Sequence, residues 1–290
     1  MNKTEFLERT SVRSFIEWIS SRLDVPKGFE HRYIMKRPKG QVWECDSIYS
    51  AFENYNWSFT CLHAGIGKSV KGKTFDESKK LLSELSVGLN KSIEGSNAEL
   101  CQRYCFSILD WGGVLPKNRE KILSIGNDIV EYFKSARIKL NPSTFNTNDN
   151  YEDIIMNAGF TKIYSLFIED FIIYDGRVGA ALGLLVRKYC EDLGLSAIPP
   201  ELCFAYGNAR ESRPNERVQN RRNPSNEKYK FPVLGNIHVK HTNNNLRANW
   251  LLKEILTQCN SRFTMLEKNT QLRALESALF MIGYDVLSEA

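Results

Sequence analysis

The stretch MNAGFTKIYSLFIEDFIIYDGRVGAALGLLVRKY, Met156 to Tyr189, decides how this chain is read. Its second half places Val178, Ala181, Leu182, Leu185 and Tyr189 at three- and four-residue steps, one face of a buried helix. Asp175 stands just before that face, where a carboxylate accepts hydrogen bonds from the first backbone N–H groups of a helix. Upstream, Ile154, Ile155 and Met156 predict a helix and residues 157–161, NAGFT, a short glycine turn. A second helix is expected from Thr161, with Ile163, Tyr164, Leu166 and Phe167 inward. A helix, tight turn and helix in series leave backbone N–H groups free at the second helix start, a place suited to a phosphate. An N-cap accounts for Asp175 by itself; its position after that turn allows a chemical role as well.

Outward from this segment, helical periodicity continues through most of the 290 residues. Phe6, Val12, Phe15, Ile16, Ile19 and Leu23 mark a first helix that ends near Asp24. Leu81, Leu82, Leu85, Val87 and Leu89 mark another after TFDESKK. NAELCQRYCFSILDW predicts a helix capped by Ser96 or Asn97 and stopped at Gly112-Gly113. KNREKILSIGNDIVEYFKSARI predicts one more, with Pro116 near its start. NNLRANWLLKEILTQC and LRALESALFMIGYDVL close the chain. Strand alternation is confined to HRYIMKR and QVWECDS, a hairpin around Pro38 and Gly40. The expected fold is all-α, two helical subdomains flanking a cleft. The expected divisions are an N-terminal helical region (1–145), the turn and aspartate segment (146–200), a basic loop (201–240) and C-terminal helices (241–290).

No apolar run approaches the roughly 20 residues that cross a bilayer. MNKTEFLERTSVRSF lacks the apolar core of a signal peptide. Seven cysteines without regular spacing fit a reduced compartment, so a cytoplasmic protein is expected. The net charge of +5 gains meaning from its distribution. Residues 210–230, RESRPNERVQNRRNPSNEKYK, hold seven basic and three acidic residues with almost no apolar content. That composition is a solvated linker or a basic loop that touches phosphates.

Several motifs fail on spacing. GIGKS (65–69) ends like a phosphate-binding loop, but Leu62 occupies the place of the required glycine. No nucleotide cofactor is expected. Cys101 and Cys105 lie one helical turn apart, as do His238 and His241. The cysteines share an apolar face and are expected in the core; the histidines are expected at the surface near a loop start. No metal site is predicted. No serine stands in a Gly-x-Ser-x-Gly elbow.

FIIYDGRVGAAL resembles the catalytic segment of the helix-hairpin-helix DNA glycosylases. There an aspartate stands in a hydrophobic-Asp-x-x-Val context a short distance after a Leu-Pro-Gly-Val-Gly hairpin. Asp175 and Val178 match the aspartate and valine, and Gly159 matches the second hairpin glycine. Asn157 replaces the first glycine, the proline is absent, and the hairpin-to-aspartate gap is several residues short. Where bifunctional members place a nucleophilic lysine, this chain has Thr161, with Lys162 next. The resemblance covers about 45 residues.

It implies a monomeric DNA glycosylase, without a cofactor, that hydrolyses the N-glycosidic bond of a damaged or modified base in double-stranded DNA. The base belongs to the cell's own genome or to invading phage DNA, the latter an antiviral role. The alternative is a non-catalytic DNA-binding protein of the same fold. Asp175 would steady the cationic sugar. Lys162 would be a catalytic amine or a phosphate contact, and a monofunctional enzyme is the expectation. Asn157, Gly159, Thr161, Lys162, Arg177, Arg221 and Arg222 would hold DNA. Trp111 and Tyr206 would wall a pocket for the flipped base.

Overall fold

A computed structural model describes residues 1–36, 39–209, 220–235 and 237–287. Pro38 of the expected hairpin and residues 210–219 of the basic loop lie outside the described residues.

The described residues are mostly helical, with two small antiparallel sheets among them. Asn2 caps α1 (Lys3–Leu7) through a hydrogen bond from Glu5 N. α2 (Thr10–Ser20) follows, so the first amphipathic stretch is two helices. β1 (His31–Ile34) and β2 (Val42–Cys45) form the expected hairpin, with Tyr33 and Trp43 paired and inward. α3 (Ile48–Glu53) leads to a second hairpin, β3 (Phe59–His63) and β4 (Lys68–Gly72), in residues where no strands were expected. Its turn uses Gly67 at φ 63°, so the glycines that mimic a phosphate loop serve a reversal of the chain instead.

α4 (Phe75–Glu94) opens on a capping box between Thr74 and Glu77. α5 (Ala98–Trp111) is capped by Asn97 rather than Ser96, which lies at φ 51°. The next predicted helix is divided. Gly126, at φ 64°, separates α6 (Leu115–Ile125) from α7 (Ile129–Lys139). Ile154 to Met156 are not helical, and the helix after the turn, α8 (Phe160–Tyr164), is a single turn. The expected first helix of the hairpin motif is therefore missing. α9 (Gly176–Asp192), α10 (His238–Gln258) and α11 (Lys268–Ile282) complete the fold.

One continuous set of buried side chains runs from Phe6 to Val286. α11 packs on α3 and α9, while α5 packs on α4, α6, α7, α8 and β3. The crossing of α9 and α11 is close. A Cβ on Gly283 would lie 1.8 Å from the Arg177 carbonyl oxygen. Likewise a Cβ on Gly176 would meet Gly207 backbone at 2.9 Å, so the start of α9 is seated where only glycine fits. Among the described residues no helix is long and apolar enough to cross a membrane.

Candidate active site

The segment Phe171–Asp175 runs into α9 outside any helix or strand, with no strand partner among the described residues. Buried backbone polar groups need partners, and here side chains of α10 and α11 supply them. Asn249 Oδ1 accepts from Ile172 N at 2.8 Å, and Asn245 Nδ2 donates to the Ile172 carbonyl at 3.0 Å. Glu276 Oε2 accepts from Ile173 N at 2.7 Å. His241 Nε2 lies 2.8 Å from the Tyr174 carbonyl. A carbonyl only accepts, so Nε2 carries the proton. His241 is buried within a helix, contrary to the surface position expected for it. Burial outweighs the hydrogen bond to Tyr174 and lowers its pKa to about 4.

Asp175 follows this braced segment and caps α9. Its Oδ1 accepts from Arg177 N at 2.8 Å and Val178 N at 3.1 Å. The other oxygen, Oδ2, lies 3.6 Å from Lys162 Nζ. Lys162 extends from α8 past Gly112, where an added Cβ would stand 2.4 Å from the lysine Cδ. Its Nζ also donates to the Ala158 carbonyl at 3.0 Å. The lysine side chain is 7% exposed and that of Asp175 15%.

This pair lies in the wall of a cavity of about 400 Å³. Tyr55, Trp57, Phe75, Leu82 and Phe280 supply apolar and aromatic surface, with Trp111, Gly112 and Val114 beside the lysine. Arg177, Arg221, Arg222, Arg273 and Lys79 bring positive charge. Arg273 is paired with Glu276 at 2.6 Å. Burial alone would raise the pKa of Asp175, but Lys162, Arg222 and Arg177 together with the Val178 N–H hold it below the ordinary carboxylate value. Burial lowers the pKa of Lys162, against the opposing pull of Asp175 and Glu276. Burial likewise raises that of Glu276, which Arg273 opposes. The site thus holds a carboxylate that stays ionised beside an amine that gives up its proton more readily than a free lysine. Such a pair can stabilise a developing cation and supply a nucleophile.

Of the residues singled out in the sequence, Asp175, Lys162, Arg177, Arg221, Arg222 and Trp111 meet in this cavity. Gly159 and Thr161 do not. Thr161 is fully buried and Gly159 packs on Asn118, because the single turn of α8 is embedded among α5, α6 and α7. Asn157 turns its Oδ1 inward to accept from Gly159 N and Phe160 N, 2.7 and 3.1 Å away. The turn therefore satisfies its own N–H groups instead of offering them to a phosphate. Tyr206 is 5% exposed and lies outside the cavity lining. Its backbone pairs with Pro232 and Leu234, which hold it in the core. Cys101 and Cys105 are buried on α5, as expected of core cysteines.

Sequence reading missed the aromatic wall, the Arg273–Glu276 pair and Gly112. Trp57 and Phe280 are distant in sequence, and nothing local marks them. Gly112 carried a signal, since the glycine pair after Trp111 was read only as a helix stop. The chain matches no protein-family model, no curated protein and no solved structure.

Proposed function

We propose that this protein is a DNA glycosylase that releases a base from double-stranded DNA. The observation that carries the reading is the placement of Lys162 Nζ 3.6 Å from Asp175 Oδ2 in a cavity with aromatic walls. A duplex hides the bond between base and sugar, so the nucleotide is extruded into the cavity. Tyr55, Trp57, Phe75 and Phe280 line it with aromatic surface that suits a flat ring. As the base departs with the bonding electron pair, positive charge grows on the sugar, and the Asp175 carboxylate lies beside it. Lys162 gives a proton to the departing base, its amine adds to the sugar carbon, and as the ring C–O bond breaks the ring oxygen takes a second amine proton, which leaves a protonated imine. The sequence alone favours water as the attacking group; the amine's position against Asp175 and its lowered pKa support the lysine.

In this reading the cavity is the floor of a cleft. One wall comes from residues 55–82 and 111–114, the other from 158–178 and 273–280. Arg221, Arg222 and Lys79 at its lining meet the phosphates. The protein acts as a monomer on DNA in the cytoplasm. Its target is a base of the cell's own genome or of phage DNA.

The test needs no knowledge of the base. A duplex with a preformed abasic site presents the sugar aldehyde, and borohydride reduces any imine to a stable secondary amine. Wild-type protein forms a covalent adduct with that DNA, and Lys162→Gln does not. In parallel, duplexes carrying diverse altered bases are scored for alkali-labile sites. DNA binding with neither adduct nor alkali-labile site on any duplex makes the protein a non-catalytic DNA-binding protein.

A further inference from the structure

Arg177 lines the cavity and helps to hold Asp175 ionised, but the steps just described give its own N–H groups no partner. Its guanidinium is held by three aromatic rings. The Phe280 centroid lies at 4.2 Å, that of Tyr284 at 4.9 Å and that of Trp57 at 5.3 Å. Tyr284 is stacked in turn on Tyr33 at 4.9 Å, and Tyr33 on Trp43 at 4.7 Å. The cage is thus stacked onto the β1–β2 hairpin. Burial, with Arg222 adding to the effect, lowers the pKa of Arg177 to about 10, which leaves it cationic at neutral pH.

The guanidinium makes no hydrogen bond or ion pair among the described residues. Beside it, Arg221 stands over the same Tyr284 ring at 4.4 Å, with Nε and Nη1 buried and unpartnered among those residues. The carboxylates are engaged. Glu276 holds Arg273 and Ile173 N, while Asp175 holds Lys162 and two N–H groups. This end of the cavity is rich in unspent donors and positive charge and poor in acceptors.

We infer that Arg177 is a specificity-determining residue that reads the extruded base. It selects a base whose inserted edge presents oxygen acceptors, whether ring carbonyls or an added carbonyl or carboxylate, and it rejects bases that carry positive charge. The inference rests on the glycosylase reading. Two of the rings that cage Arg177, Trp57 and Phe280, line the cavity themselves, so its donors lie in the slot that a flat ring fills. A planar fork of N–H groups in such a slot pairs with oxygens in the plane of a base. A cationic base would meet Arg177 and Arg222 with like charge.

The experiment uses the full chain and duplexes with one altered base each. Uracil, 8-oxoguanine and 5-carboxycytosine present oxygens; 7-methylguanine and 3-methyladenine carry positive charge in the strand. At least one acceptor-bearing base is expected to leave about tenfold or more faster than either cationic one, the scale of one hydrogen bond to a charged donor. Arg177→Gln lowers kcat/KM on that base by about tenfold to a hundredfold, without altering the salt dependence of binding. Arg177→Lys, which keeps the cation in its cage but loses the fork, falls between. Melting curves establish that each variant is folded; should the glutamine variant not fold, the lysine variant decides. Faster release of a cationic base overturns the inference. So does a uniform loss on all duplexes with a salt slope reduced by about one, which marks a phosphate contact. Adduct formation on abasic DNA with no acceptor-bearing base released also overturns it, and leaves the glycosylase reading standing. Neither adduct nor release on any duplex sinks both.

Discussion

Gly112→Ala tests whether the site depends on where the Lys162 stem passes. Gly112 lies at φ −78°, a backbone angle that alanine adopts without strain. The added Cβ would stand 2.4 Å from Lys162 Cδ and 2.6 Å from Cε, against an ordinary contact that begins near 3.4 Å. The shortfall is 3.4 − 2.4, or 1.0 Å. The lysine is buried and its amine is tethered to the Ala158 carbonyl, so the stem relieves the clash by carrying Nζ away from Asp175. A displacement of about 1 Å in a reacting group costs on the order of a hundredfold in rate. Overpacking should also lower stability by about 1–3 kcal/mol, which the urea titration reads separately from the rate. The assay is the single-turnover rate of borohydride adduct formation on abasic duplex, set beside a urea titration. Gly113→Ala is the control. Gly113 sits at φ 65° with only a Trp57 carbon near, at 3.9 Å, so alanine there should cost about 1–2 kcal/mol of stability and leave the rate alone. Unchanged adduct formation in folded Gly112→Ala would refute the argument that this glycine positions the amine.

Asp175→Asn should retain the cap of α9, since asparagine caps as well as aspartate, while base release falls by about a hundredfold to a thousandfold. Because Asp175 raises the Lys162 pKa, its removal should also move the rising limb of the pH profile for adduct formation to lower pH. A profile that stays in place would show that the two groups are not coupled. His241 is held neutral by burial, with a pKa of about 4 against 6.5. A base whose folded pKa is depressed stabilises above its unfolded pKa, and that contribution is lost as pH falls from 6.5 toward 4. The gap is worth about 3 kcal/mol. The urea midpoint of the wild type should therefore drop between pH 6.5 and 4, and His241→Gln should flatten the drop. Arg222→Gln should weaken DNA binding similarly on all sequences and reduce the slope of log K against log salt by about one; an unchanged slope would remove Arg222 from the phosphate contacts.

What the sequence revealed and what it hid divide along a physical line. Helical periodicity is local, so α2, α4, α5, α7, α9 and α11 were legible from apolar spacing, and Asp175 was legible as a cap because the capped N–H groups are two and three residues away. Glycine breaks were harder. Gly126 ends one helix and begins another by adopting φ 64°, a choice that the surrounding helical pattern masks. The β3–β4 hairpin hid because Leu62 faces out while His63 faces in, and β4 is largely exposed and polar, so apolar alternation is broken. Tyr206 and Trp111 were both candidates for the pocket wall, and core packing was the stronger expectation for Trp111, yet only Trp111 ends on the cavity, because the exit of α5 faces it. The aromatic wall joins Tyr55, Trp57 and Phe75 to Phe280, from opposite ends of the chain, and no local pattern announces such a meeting; Arg273 and Glu276 are neighbours on α11, but nothing in their spacing tells that the pair faces the cavity. His241 was misjudged because NIHVKHTNN looks polar. Its polar residues are in fact turned inward to serve backbone groups of a neighbouring segment.

That inward turn bears on how the site holds its geometry. A helix rich in asparagine within its buried face is poor in apolar contact, and each such residue costs stability if left without partners. On α10, Asn244, Asn245 and Asn249 are all buried, and each is bonded to backbone of the segments 172–174 or 203–205 or to a neighbouring asparagine. The run before Asp175 thereby gains directional bonds on Ile172, Ile173 and Tyr174, three successive residues. Apolar packing alone would resist the removal of these residues but would tolerate a slide along the chain axis. Hydrogen bonds at each residue do not tolerate a slide, since a shift of one residue unpairs them all in a buried setting. The carboxylate at the end of this run therefore has a fixed distance to Lys162, and α11 contributes to the same bracing through Glu276 while Phe280, one turn on, walls the cavity. The polar lining of α10 and the aromatic lining of α11 are two parts of one arrangement: the first sets where the charge stands, and the second sets what can lie against it.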